Sequence, residues 1–108
     1  MSAQIVKHKF PPFWDACLIF HNQVIPLDRA VINLGRNDGN DLVFETPLVS
    51  RRHAQIRLED GEFVLYDMRS RWGTRVNNQL VQRVVLHAGD EIWLASVPLR
   101  FERQCVVE

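Results

Sequence analysis

The sequence predicts an all-β fold, an antiparallel β-sandwich of ten to eleven short strands with its binding loops gathered at one end. Three observations carry that expectation. Apolar residues recur with period two or in short runs. Turn formers bound those runs at close intervals. No window of ten or more residues carries a helical period.

The elements follow in order along the chain. Ala16 to Phe20 and Val24 to Leu27 flank His21-Asn22-Gln23 as a hairpin, and Val31 to Leu34 forms the next strand. Asp41 to Phe44 is entered through the Asn37-Asp38-Gly39-Asn40 loop. His53 to Leu58 and Glu62 to Asp67 flank Asp60-Gly61, a strong hairpin signal between alternating apolar runs. In that hairpin Ala54, Ile56 and Leu58 line one face, with Phe63 and Leu65 as their counterparts. Thr74 to Asn77 and Leu80 to Gln82 pair around Asn77-Asn78, where asparagine tolerates the left-handed backbone of a tight turn. Val84 to Leu86, Asp90 to Ala95 and Leu99 to Phe101 complete the fold, with Ala88-Gly89 as a turn. Phe44, Tyr66, Trp93 and the Val and Leu runs are expected in the core.

A length of 108 residues suits one domain. The division expected is an N-terminal arm over residues 1–15, containing Pro11-Pro12 and Trp14, and a sandwich domain over residues 16–105. Formal net charge is zero, so no global field attracts nucleic acid or an anionic membrane. No apolar stretch approaches the roughly 20 residues of a membrane-spanning helix. Cys17 and Cys105 lie near opposite ends, and without a signal peptide the expectation is two free thiols in the cytoplasm or another reducing compartment. Terminal strands often pair in sandwiches, which brings such residues close, but no disulfide is expected.

Charge is uneven locally. Six arginines fall between Ser50 and Arg75, and Arg51, Arg52, Arg69, Arg71 and Arg75 sit at or beside turns. Glu59, Asp60 and Glu62 cluster at a different turn. The loops therefore gather guanidiniums and hydroxyls, a donor set that suits a phosphate group on a partner protein. A phosphoryl group offers three acceptor oxygens and up to two negative charges. Arginine's planar fork engages two oxygens at once, and a serine hydroxyl fills a further acceptor position. Arg36, Ser50 and Arg51 have this chemistry, each at a strand end.

Gly35-Arg36, Ser50-Arg51-Arg52-His53 and Ser70-Arg71-Trp72-Gly73-Thr74-Arg75-Val76-Asn77 occur in this order on an all-β background. With Asp67 and the Gly89-Asp90-Glu91-Ile92 turn, this pattern resembles the forkhead-associated domain, a phosphothreonine-binding β-sandwich. The resemblance runs from about Ala16 to Arg103. It implies a charge-assisted contact from Arg36 to the phosphate, a hydroxyl donated by Ser50, and a second cation from Arg51. It places Arg71 beside the phosphate or the neighbouring peptide backbone. Gly35 and His53 are implied to be architectural, as are Gly73, Thr74 and Asn77.

Trp72 departs from that family, which usually has asparagine there to hydrogen-bond the peptide backbone. Indole offers one N–H and no acceptor. The departure leaves four readings: weakened backbone capture, stacking on a peptide side chain, a phosphate-independent protein contact, or packing against its own strand.

Other chemistries find less support. Ser50, His53 and Asp67 lack the nucleophile elbow of a hydrolase, so catalysis is not expected. His8, His21, His53, His87 and the cysteines show no metal-ligand spacing, and no cofactor is implied. Trp14, Trp72 and Trp93 suggest stacking platforms for single strands, but zero net charge argues against nucleic acid. The expected function is a phosphothreonine-dependent protein-interaction module. The alternatives are a phosphate-independent scaffold using the Trp72 loop and, more distantly, a nucleic-acid binder.

Overall fold

A computed structural model describes residues 15–105. Residues 1–14 of the arm, with His8, Pro11, Pro12 and Trp14, lie outside the described residues. Among the described residues eleven strands form: β1 (Cys17–Phe20), β2 (Gln23–Pro26), β3 (Val31–Gly35), β4 (Leu42–Val43), β5 (Ala54–Glu59), β6 (Glu62–Asp67), β7 (Thr74–Val76), β8 (Gln79–Val81), β9 (Arg83–Val85), β10 (Glu91–Leu94) and β11 (Val97–Glu102). They make two sheets, a six-stranded one in the order β2-β1-β11-β10-β7-β8 and a five-stranded one in the order β4-β3-β5-β6-β9.

Turn chemistry produces the tight reversals. His21 and Asn22, Asp60 and Gly61, and Asn77 and Asn78 all take positive φ, the handedness that matches the twist of a two-residue hairpin. The alternation then divides inward from outward residues. Ile32 and Leu34 of β3, Ala54 and Ile56 of β5, and Phe63 and Leu65 of β6 meet Leu18, Val76, Ile92, Leu94, Leu99 and Phe101 of the facing sheet. Fully burying a side chain such as Phe63 or Leu65 stabilises the fold by about 1.5–3 kcal/mol.

Four expectations need correction. The β3–β4 pair is parallel, with Leu34 opposite Leu42. β4 has only two residues, so the short 36–41 loop brings it back without a long crossover. Tyr66 is not core: it stands on the outer face of the five-stranded sheet, where Arg57 lies 4.1 Å over its ring and its hydroxyl donates to Glu59 at 2.6 Å. Trp93 also faces outward, opposite Arg75 and Pro98, because Ile92 and Leu94 take the inward positions of β10.

The fourth concerns the cysteines, which are joined rather than free. β1 and β11 pair in the middle of their sheet, with Cys17 opposite Glu102. Beyond β11, Gln104 takes φ 56° and the Cys105 N–H donates to the Asp15 carbonyl at 3.1 Å. This return sets the two Cα atoms 6.2 Å apart, inside the range a disulfide spans.

Candidate functional site

The ladder between β3 and β5 continues beyond both strands. The His53 N–H donates to Leu34 O at 2.9 Å, the Arg36 N–H to Ser50 O at 3.0 Å, and the Asn37 N–H to Arg51 O at 3.2 Å. Arg36, Ser50 and Arg51 are thereby set side by side at one end of the sandwich. The approach requires Gly35, since a Cβ there would run into the Arg51 carbonyl and the Asn40 amide. Asn40 braces the same place, its Nδ2 donating to Asn37 O at 2.9 Å and Arg51 O at 2.7 Å.

His53 ties this loop to the one before β7. Its ring is fully buried. Nδ1 accepts from the Ser50 N–H at 3.0 Å, and Nε2 donates to the Gly73 carbonyl at 2.9 Å. That pattern assigns a neutral imidazole with its proton on Nε2.

Asp67 shapes the β6–β7 loop. Its Oδ1 accepts from the Ser70 hydroxyl at 2.6 Å and the Thr74 hydroxyl at 2.7 Å, and its Oδ2 from the Ser70 N–H at 3.1 Å. The resulting turn holds Arg69 at φ 57°, a left-handed backbone unusual for arginine. Asp67 and His53 therefore serve separate loop contacts and form no relay with Ser50. Gly73, at φ 87°, closes the loop under the Leu80 side chain.

These constraints aim the functional groups. The Arg71 N–H donates to Ser50 Oγ at 2.9 Å. That contact occupies one lone pair and leaves the hydroxyl proton to donate elsewhere. Arg36 Nε donates to Val49 O at 2.9 Å, which fixes the stem and leaves the two terminal nitrogens outward. Trp72 stands 56% exposed, with the Arg71 guanidinium 5.5 Å from its ring centroid. It does not pack back on its own strand. Asn77 lies apart from this group, at the far end of β7, where it bonds Asp90 and the Glu91 N–H.

Charge is segregated. Among the described residues, ion pairs engage Arg29, Arg83, Arg100 and Arg103. None engages Arg36, Arg51, Arg52, Arg69 or Arg71. The loop end thus presents guanidiniums without carboxylate partners, which favours an anionic ligand.

Sequence reasoning overlooked Asn40 as a brace and the Val49 carbonyl as an anchor for Arg36. The Asn-Asp-Gly-Asn run signals a turn, but the contact from Asn40 to Arg51 spans eleven residues and is not visible locally.

Comparisons with known proteins agree with this geometry. A family model described as FHA domain matches residues 32–95. The glycogen accumulation regulator GarA of Mycobacterium tuberculosis is 41% identical over 75 residues, covering 69% of this chain and 46% of that protein. The oxoglutarate dehydrogenase inhibitor of Corynebacterium glutamicum is 37% identical, covering 69% and 52%. The chain thus spans about half the length of these curated relatives. Among solved structures, Mycobacterium tuberculosis EmbR in complex with a low-affinity phosphopeptide superposes with TM-score 0.82 and 29% identity, covering 86% of this chain and 25% of that one. The N-terminal FHA domain of S. cerevisiae Rad53p in complex with a phosphothreonine peptide gives TM-score 0.71 and 26% identity, covering 82% and 92%.

Proposed function

The chain belongs to the forkhead-associated (FHA) domain family, and on that premise we propose that it is a phosphothreonine-dependent protein-interaction module whose phosphate seat is Arg36, Ser50 and Arg51. The observation that carries this assignment is the Ser50 hydroxyl. Its oxygen accepts the Arg71 N–H, so its proton is directed to a ligand oxygen between two guanidiniums that lack carboxylate partners. The phosphopeptide complexes of EmbR and Rad53p support the same ligand class. Gly35, His53, Gly73 and Thr74 hold the seat and do not touch the ligand, while Arg71 and Trp72 line the peptide path.

The folding unit in this reading is residues 16–105, preceded by the 1–15 arm. Among the described residues no helix is long and apolar enough to cross a membrane. We place the module's work in the cytoplasm. There the Cys17–Cys105 bond faces a reducing pool, and the β1–β11 ladder with the Arg103–Asp15 ion pair, 2.7 Å, keeps the ends together when the thiols are free.

The test is a paired peptide library, phosphothreonine against threonine. Phosphorylated peptides bind in the micromolar range, about −8 kcal/mol or weaker. Affinity falls below about pH 6, where the phosphate gains a proton and loses a charge. Equal enrichment of both libraries overturns the assignment. It would favour the second reading, a phosphate-independent contact through the Trp72 loop, for which the exposure of Trp72 and Leu80 speaks.

A further inference from the structure

We propose a second anion subsite built on Arg52, so that the ligand is a peptide carrying another anionic side chain within a few residues of its phosphothreonine. The inference rests on the phosphothreonine reading and specifies what the ligand must carry beside the phosphate.

Arg52 lines a shallow depression of about 200 Å³ together with Asn33, Asn37, Gly39 and Asn40. No carboxylate lines it, and four of its five lining residues carry polar side chains. The main chain is fixed there, because Arg51 O accepts both the Asn37 N–H and the Asn40 amide. Most of the amides are already engaged. Asn40 Nδ2 is spent on Asn37 O and Arg51 O, Asn33 Oδ1 accepts from Gln55 at 2.7 Å, and Asn33 Nδ2 faces Asp41 at 3.4 Å. The Arg52 guanidinium and the Asn37 side chain have no hydrogen-bond partner among the described residues. They are the donors left over.

The neighbouring acids do not neutralise Arg52. Asp41 accepts the Asn33 N–H at 2.7 Å and is paired with Arg29 at 2.8 Å. Asp38 is exposed between Asn37 and Gly39 and does not line the depression. A guanidinium beside a free amide, in a hollow that no carboxylate lines, complements a phosphate or carboxylate.

The spacing suits one ligand. Arg51 and Arg52 are consecutive, with Cα atoms about 3.8 Å apart, and an extended peptide advances about 3.3–3.6 Å per residue. Asn37 and Asn40, which line the depression, bond the Arg51 carbonyl, so the depression adjoins the seat, and in this proposal a side chain one to four residues from the phosphothreonine reaches it.

Calorimetric titration of the full chain tests this. The probes are an alanine-flanked phosphothreonine peptide and a series adding phosphoserine or glutamate one to four residues to either side. At one or two spacings, phosphoserine tightens binding about tenfold, as expected for hydrogen bonds to a charged group. Glutamate tightens it about threefold, as expected for an exposed ion pair. A gain confined to phosphoserine assigns the subsite to a second phosphate, and a comparable gain from glutamate assigns it to any anionic residue. In Arg52→Ala the gain disappears while the singly phosphorylated peptide keeps its affinity. In Asp38→Asn the gain increases. No gain at any spacing, or the same gain in Arg52→Ala, overturns the subsite alone. Failure of the singly phosphorylated peptide to bind at all overturns the phosphothreonine reading, and the subsite with it.

Discussion

Replacing His53 by alanine tests how the two binding loops are held together. The imidazole is fully buried and bridges the Ser50 N–H and the Gly73 carbonyl. Their fates differ on truncation. Gly73 O still accepts the Ala95 N–H at 3.1 Å, so it stays partly satisfied, whereas the Ser50 N–H loses its acceptor. The Ser50 N–H is only part-buried, so orphaning it costs about 1–2 kcal/mol, toward the low end for an unsatisfied donor, and the cavity left by the ring adds about 2 kcal/mol. The expected loss is therefore about 3–4 kcal/mol, a large fraction of the 5–15 kcal/mol typical of a whole domain. Urea unfolding followed by tryptophan fluorescence measures it. A melting temperature lowered by about 15–30 °C would accompany it. His53→Gln, whose amide carries both an acceptor and a donor, should recover a good part of the loss. Peptide binding should fall in the alanine variant, because Ser50 and Arg71 lose their register. A stability change under about 1 kcal/mol with peptide affinity intact would refute the bridging role.

Four further outcomes are expected. Arg36→Ala should lose about 1.5–3 kcal/mol of phosphopeptide binding in a titration with little change in melting temperature, since the side chain is exposed and gives up a single bond to Val49 O. Arg69→Gly should raise stability by about 0.5 kcal/mol, the left-handed penalty at φ 57° less the greater entropy of an unfolded glycine; a drop in the urea midpoint would contradict that balance. Reduction of Cys17–Cys105, or Cys105→Ser, opens a loop of 88 residues and should lower unfolding free energy by about 4–5 kcal/mol, with peptide affinity unchanged in the folded protein. Trp72→Asn should tighten phosphopeptide binding by restoring an amide with both donor and acceptor, and an unchanged dissociation constant would place Trp72 outside the peptide path.

The strands were legible because each short run carries its own alternation and its own turn. Asp60-Gly61 and Asn77-Asn78 announce the hairpins they make, and the spacing places Arg36 at the end of β3, whereas Ser50, expected at a strand end, lies in the loop four residues before β5. What was not legible depends on non-local pairing. Tyr66 and Trp93 look like core residues by composition, and only the register of β6 and β10 shows that they face outward. The disulfide requires β1 to lie beside β11 and the chain to turn back at Gln104, neither of which has a local signal. At the site, the motifs indicated which residues matter but not how they are held. Asn40 bracing Arg51, and Arg71 reaching Ser50 through its backbone and not its guanidinium, follow from loops that meet only in the folded chain.

The most direct measurement is a crystal structure of this chain with a phosphothreonine peptide. The phosphate should sit between Arg36 and Arg51, with the Ser50 hydroxyl donating to one of its oxygens at about 2.6–2.8 Å while Ser50 Oγ keeps the Arg71 N–H. A phosphate bound elsewhere, or a peptide held by Trp72 with Arg36, Ser50 and Arg51 left in solvent, would contradict it.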